Sequence, residues 1–208
     1  MQQRKRPLGR PRKEHGALST KDKILWTATD MFLKKGYSFI SMDDVAAQCD
    51  VTKATVYYYY KTKADLFTDA MVQLMVRIKR QIVDILSTNE PLKTQLFKLA
   101  KAHLQATVDI DINSFMKEAA VSLSDEQLKL MQESEDEMYA AMAFSLQEAM
   151  DQGIIPQSNP HLGAVLFVSM LAAGNNMNRN AEQSSLSLDE LVTEIMNLFW
   201  DGLANPSA

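Results

Sequence analysis

SMDDVAAQCDVTKATVYYYYKTK, residues 41–63, is the stretch that decides the fold. Ser41 followed three residues later by Asp44 is a capping pair: the hydroxyl takes a free amide of the first turn, and the acid reaches back to the cap. Val45, Ala46 and Cys49 then recur at helical spacing, which predicts a short helix with one apolar side. Asp50-Val51-Thr52 interrupts the pattern after little more than two turns, and Thr52 caps a second helix. In that helix Val56, Tyr59 and Tyr60 fall on the inner side, and Lys53, Ala54, Tyr57, Tyr58 and Lys61 on the outer. Thr62 and Asp65 start the next helix. Two short helices joined by a tight turn, the second with a polar and aromatic outer face, have the shape of a helix-turn-helix that reads DNA. Residues 55–60 alone favour a strand, being β-branched and aromatic. Cap signals bracket them, however, and no other segment reads as a partner strand.

Upstream, Ser19 and Asp22 open a helix that runs from about Thr20 to Lys35 and stops at Gly36. Ile24, Leu25, Ala28, Met31 and Phe32 form its inward stripe, with Trp26 beside it and half-buried. Tyr37, Phe39 and Ile40 are expected to close a small three-helix core.

The run Thr52-Lys53-Ala54-Thr55-Val56-Tyr57-Tyr58-Tyr59-Tyr60-Lys61-Thr62-Lys63 resembles the recognition-helix segment of the tetracycline-repressor (TetR) family of transcriptional regulators. Gly36, Ser41, Val45, Ala46 and Val51 also sit where that family has matching residues. The resemblance is specific over roughly Lys21 to Phe67; beyond it, only an all-helical pattern of the right length remains. Asp50 stands where the family has Gly, at a position expected in the left-handed region, which Asp tolerates better than most residues. The resemblance implies an all-α protein of about nine helices: a three-helix head with the helix-turn-helix at about 41–60, then a larger helical bundle for regulation and dimerisation. The corresponding division is a disordered basic arm (1–16), a DNA-binding domain (17–66) and a ligand-binding and dimerisation domain (67–208).

The net charge of −4 conceals an asymmetry: residues 1–63 carry +7 and residues 64–208 carry −11. Acidic excess in the second part fits a solvated surface. Positive charge coinciding with the helix-turn-helix fits a phosphate-facing one. In the arm, Gly9-Arg10-Pro11-Arg12-Lys13 resembles an AT-hook core, in which Arg10 and Arg12 would enter a narrow minor groove. The alternative is a basic tail that adds only non-specific attraction. A single cysteine excludes an intrachain disulfide. No signal-peptide pattern follows the basic start, and the longest apolar run, 163–174, is too short to span a bilayer. These features predict a cytoplasmic protein without membrane partners.

In the body, Leu66, Phe67, Ala70, Met71, Leu74, Ile78, Ile82 and Ile85 predict a long fourth helix to about Ser87. Pro91 opens a fifth to about Val108, 109–112 is read as a loop, and a short sixth lies near 114–121. Ser124 and Gln127 open a seventh helix, stopped by Gly153 and Pro156. Asn159-Pro160 starts an eighth, to about Arg179. After a polar loop at 181–185, Ser187 and Glu190 start the ninth, whose apolar face is Leu188, Leu191, Val192, Ile195, Leu198, Phe199 and Leu203.

The candidate DNA contacts are Ser41 and Met42 at the start of the first motif helix; Thr52, Lys53, Ala54, Thr55, Tyr57 and Tyr58 on the second; and Lys61 and Lys63 after it. Lys53 lies where a helix start attracts phosphate. Lys63 is expected to clamp a phosphate, as the matching family residue does. A head this small reads few base pairs, so a homodimer on a palindromic operator of double-stranded DNA is expected. Ala164, Val165, Val168, Leu171, Ala172, Leu191, Ile195 and Phe199 on helices eight and nine are the candidate dimer interface, or else they finish the monomer core. Phe115, Met116, Met131, Met138, Tyr139, Met142, Phe167, Met170 and Met177 supply adaptable apolar surface for a small apolar ligand, although residues at such spacing also build plain core. An enzyme is not expected, and neither is a cofactor. His15, His103 and His161 are far apart without HExxH or CxxC, and there is no Gly-rich phosphate loop or GxSxG. The reading that results is a sequence-specific repressor released by a ligand. The alternatives are a constitutive DNA-binding protein of the same fold and a helical partner-binding protein.

Overall fold

Hydroxyl and amide caps set most of the helix starts in this chain. The computed structural model describes residues 19–107, 112–179 and 186–204, and among these it contains nine helices and no strand. They are α1 (Thr20–Lys35), α2 (Met42–Gln48), α3 (Lys53–Tyr59), α4 (Lys63–Leu86), α5 (Leu92–Thr107), α6 (Ile112–Ala120), α7 (Asp125–Asp151), α8 (Pro160–Arg179) and α9 (Leu188–Ala204). Reciprocal capping boxes begin α2, α4 and α7, at Ser41/Asp44, Thr62/Asp65 and Ser124/Gln127. The Asn159 side-chain carbonyl accepts from the Leu162 amide at 3.0 Å, with Pro160 as the first helical residue of α8. Gly36 at φ 88° ends α1, and Asp50 at φ 52° makes the turn between α2 and α3. The left-handed position expected there is therefore occupied by a residue with a β-carbon.

Helices α1 to α3 and the first turns of α4 enclose one apolar cluster. Ile24, Ala28, Phe32, Val45, Val56, Leu66 and Phe67 are fully enclosed in it. Edge-to-face rings tie its centre together, with Phe67 5.2 Å from Phe32 and 4.9 Å from Tyr37, a geometry worth something beyond the area it buries. Ala119 of α6 and Met131 of α7 are also buried in this cluster, so body residues complete the head core. Phe39 departs from expectation: it is 77% exposed, while Tyr37 and Ile40 take the inward places. The Ile40 amide donates to the Tyr37 carbonyl across a tight turn, which leaves Ser38 and Phe39 at its tip.

The body packs α4 against α7, α7 against α8, and α9 against α5 and α8. Leu96, Leu104, Met142, Leu146, Phe167, Leu171 and Met196 fill its centre. One buried polar link crosses it: the Asn175 side-chain amide donates to the Thr107 carbonyl at 2.7 Å. Outside both cores, the Arg77 guanidinium lies 4.1 Å from the centre of the half-exposed Trp26 ring, joining α1 to α4. Helix α6 begins at Ile112, two residues earlier than its pattern predicts, and Leu198 is exposed rather than part of the apolar face of α9. The basic arm, residues 109–111, the 181–185 loop and the Leu203 side chain lie outside the described residues.

At the end of α3, Tyr60 has left the helix for extended backbone, φ −134° and ψ 120°. Its ring turns into the head, its hydroxyl donates to Asp69 Oδ2 at 2.7 Å, and Lys21 meets the same carboxylate at 3.2 Å. Burial, reinforced by the Asp69 carboxylate, raises the Tyr60 pKa well above its ordinary value of 10.0. A raised folded-state pKa stabilises fully below the unfolded pKa and is lost as pH climbs past it. Stability should therefore fall above about pH 10, and Tyr60→Phe should remove that part of the slope while costing about 1–2 kcal/mol at neutral pH. Urea unfolding of both proteins from pH 7 to pH 11 measures this; parallel curves would mean that Tyr60 ionises freely in the fold.

Candidate nucleic-acid interface

Only seven residues of α3 are helical, and their packing decides which side chains face out. Thr52 Oγ1 accepts from the Thr55 amide at 3.2 Å and shares a hydroxyl hydrogen bond with Thr55 Oγ1 at 2.8 Å. This fixes the start. Val56 is fully buried and Tyr60 closes the far end from outside the helix. Between these anchors Tyr57 and Tyr58 point outward, Tyr58 at 82% exposure, and Ala54 is exposed beside them. Tyr59, expected to pack inward, is 37% exposed, with its ring 5.1 Å edge-on from that of Tyr58. The reason is local: because the backbone straightens at Tyr60, that residue alone fills the inner position the two would otherwise share. The sequence signal for this was the closeness of the next cap, Thr62, which leaves no room for a further turn.

Two of the cations around this face, Lys53 and Lys63, have intramolecular partners. Lys53 Nζ lies 2.8 Å from Asp43 Oδ2 of α2 and 5.7 Å from the centre of the Tyr57 ring. Hydrogen bonding to Asp43 raises the Lys53 pKa, so its charge is secure. Lys63, half-buried at the first position of α4, stands 4.1 Å from the centre of the Tyr37 ring and 3.5 Å from the Ser38 carbonyl oxygen. Burial lowers its pKa, against the opposing pull of Glu118 and Asp44. Lys61 is exposed, and so is Ser41, whose hydroxyl donates to Asp44 Oδ2 at 2.6 Å. Met42 is a correction as a side-chain contact: its side chain is buried in the head core, which leaves only its backbone at the start of α2 to face DNA. Arg10 and Arg12 lie outside the described residues. Asp43, absent from the expected contacts, emerges as the group that orients Lys53.

The body residues singled out from the sequence do not form one site. Met131 is buried in the head cluster and Met116 packs against it. Met138, Met142 and Phe167 are buried in the body cluster, with Tyr139 and Met170 against it, and Met177 is exposed. The Phe115 side chain lies outside the described residues. Open clefts of about 500 and 350 Å³ are on the head, between α1 and α2, sharing Met31, Lys35 and Gln48. Neither touches these body residues. Of the residues expected at a dimer interface, Ala164, Leu171, Leu191, Ile195 and Phe199 are buried within the monomer, Val165 and Val168 are half-buried, and Ala172 is exposed. The reason is that small and aliphatic residues on α8 and α9 first serve contacts within the monomer, α8 with α7 and α9, and α9 with α5. A β-carbon on Gly174, for example, would lie 2.6 Å from Ile195 Cδ1.

An exposed aromatic helix on a capped two-helix turn, flanked by lysines, defines a helix-turn-helix DNA-binding protein. Residues 24–70, the helix-turn-helix head, match the model of the bacterial regulatory proteins of the tetR family, and the chain is similar to transcriptional regulators of that family. It is 24% identical over 159 residues to the uncharacterised HTH-type transcriptional regulator YhgD of Bacillus subtilis, spanning 76% of this chain and 83% of that one. It is 36% identical over 47 residues to IcaR, the negative transcriptional regulator of the biofilm operon icaADBC in Staphylococcus epidermidis, covering 23% of this chain and 25% of IcaR. The fold is similar to that of the regulator FadR of Bacillus subtilis, solved in complex with stearoyl-CoA, with a TM-score of 0.69 and 16% identity over 87% of this chain and 98% of that one. No helix among the described residues is long and apolar enough to cross a membrane.

Substitution at the two ends of the tyrosine run separates surface from core. Tyr58→Ala should leave the unfolding free energy within about 0.5 kcal/mol of wild type, while Tyr60→Ala should cost about 3 kcal/mol or more. Equal losses in denaturant melts would mean that Tyr58 is not free.

Proposed function

We propose that the protein is a cytoplasmic, homodimeric repressor that binds a palindromic operator through α3 and releases it when a small apolar ligand occupies the body. The observation that carries the DNA reading is the outward face of α3, where Tyr57, Tyr58 and Tyr59 offer hydroxyls and ring edges between Lys53 and Lys61. In this reading the tyrosines and Thr52 meet bases or backbone oxygens, and Lys53, Lys61 and Lys63 meet phosphates, which position the helix without reading sequence. Lys53 and Lys63 exchange carboxylate or ring neighbours for phosphate oxygens, a replacement of one partner by another rather than a bare gain.

Repression is supported by the likeness of the head to that of IcaR. Dimerisation is supported by an outward stripe on α8, where Leu162, Leu166, Ala173 and Met177 fall at helical spacing opposite the buried face, and by the exposed Leu198 on α9. A second copy burying these side chains around a local two-fold would form a four-helix contact and set the two α3 helices about 34–36 Å apart. Release by an apolar ligand is supported by the complex of the similarly folded FadR with stearoyl-CoA. The close burial of Met138, Met142 and Phe167 favours a second reading, a DNA-binding protein of the same fold without an effector.

Selecting bound oligonucleotides from a random pool tests the main reading, which requires a two-fold symmetric motif; enrichment of no sequence would end it. On the selected operator, Lys63→Ala should weaken binding to all sequences alike and lower the salt slope by about one, whereas Tyr58→Ala should change base preference. A combined Leu166→Glu and Leu198→Glu chain should sediment as a monomer; an unchanged dimer would place the interface elsewhere. Long-chain acyl-CoA that raises the melting temperature and loosens the operator complex supports the effector reading. Melting indifferent to such ligands supports the constitutive one.

A further inference from the structure

We propose that Glu118, on body helix α6, is a positioning residue for DNA reading: its carboxylate grips the α1–α2 turn that delivers the helix-turn-helix, and discrimination between operator and other DNA depends on that grip. The inference rests on the DNA-reading function proposed above.

Backbone accounting locates it. In the turn from Gly36 to Ile40, the Gly36 amide donates to the Phe32 carbonyl and the Ile40 amide to the Tyr37 carbonyl. The Ser38 amide instead donates to Glu118 Oε1 at 2.8 Å, across 80 residues of sequence. The Ser38 carbonyl oxygen faces Lys63 Nζ at 3.5 Å. The N–H bond is thus the corner's tie to the body, whereas the Lys63 contact belongs to the free protein, because in the DNA reading Lys63 turns to phosphate. The carboxylate lies flush on the turn, since a β-carbon on Gly36 would sit 3.3 Å from Glu118 Oε2. The Ser38 hydroxyl and amide, with Lys63 adding its attraction, hold the Glu118 carboxyl below its ordinary pKa, so it is ionised when it grips.

Glu118 itself is firmly seated. The next residue, Ala119, is fully buried in the head core, and beyond it Gln127 Nε2 donates to Asp65 Oδ1 of the α4 cap at 3.0 Å. Downstream of the gripped corner come Ser41 and Asp44, the cap that starts α2, and the Asp44 carboxylate also attracts Lys63. A displacement of α6 by about 1 Å takes the Ser38 bond past hydrogen-bonding range. The body therefore has a route to the reading head that does not run along α4. The bond is exposed, so its contribution is geometric more than energetic.

The test compares wild type, Glu118→Gln and Glu118→Ala for binding to the selected operator and to unrelated duplex at one salt concentration. Loss of the negative charge acts on every sequence, so non-specific affinity should change alike in both variants. The ratio of operator to non-specific affinity should fall about tenfold in Glu118→Ala, the scale of one charge-assisted hydrogen bond. Glu118→Gln retains an oxygen for the Ser38 amide and should keep most of the ratio. A ratio within about twofold of wild type in Glu118→Ala, or an equal loss in Glu118→Gln, overturns the proposal. Amide exchange at Ser38 in the free full-length protein gives a reading without DNA: protection should vanish in Glu118→Ala and persist in Glu118→Gln. Unchanged exchange in Glu118→Ala overturns the grip itself. Wild-type protein with no operator preference sinks the DNA reading instead, and leaves the exchange result standing.

Discussion

The hydrogen bond from Tyr60 to Asp69 is the constraint on which the exposed face depends. Seven helical residues cannot hold their own orientation; isolated helices of that length are unstable in water. Helix α3 is oriented because Val56 is buried on its inner side and because the chain straightens at Tyr60 and drives that ring into the head. The Asp69 carboxylate then binds a residue next to α3, and Lys21 ties the same carboxylate to α1. Three elements meet at one acid. Without that meeting point only the Thr52 cap and the buried Val56 side chain would hold the tyrosine face outward.

The helices were legible in the sequence because their signals are local. A cap, a period of 3.6 and a stop residue are each written within a few positions, and α1, α4, α7, α8 and α9 start close to where those signals place them. Exposure at helix ends was less legible. Tyr59 and Phe39, both expected to face inward, are exposed because Tyr60 leaves the helix to fill the inner place beside Tyr59 and because Phe39 stands at the tip of the α1–α2 turn. On α8 and α9, Ala164, Leu171, Leu191, Ile195 and Phe199, expected at a dimer interface, are buried within the monomer. Composition identifies a helix with two apolar sides without saying which side meets its own chain. Gly174 against Ile195 settles that for the monomer, and only coordinates could show it.

The division into head and body is also weaker than the sequence suggests. Ala119 and Met131 belong to the head core although they come from α6 and α7, and Gln127 bonds the cap of α4. Sequence patterning cannot reveal such contacts, because each of these residues satisfies its own helix's period equally well whichever cluster receives it.

That continuity bears on how a body could influence a head at all. A conformational equilibrium shifts only by the difference in affinity a ligand has for its two states, so the two states must differ at a contact the ligand can reach. A long helix such as α4 transmits motion well but is stiff and buried along much of one face, and moving it disturbs both clusters at once. The α6 contact is different. It joins α6 to the head through the buried Ala119, the half-buried Met116 and the Glu118–Ser38 bond, the last at the corner that precedes the helix-turn-helix. A contact of that kind can be made or lost within the few kcal/mol that ligand binding supplies, whereas repacking α4 against Phe67 and Met71 cannot be done so cheaply.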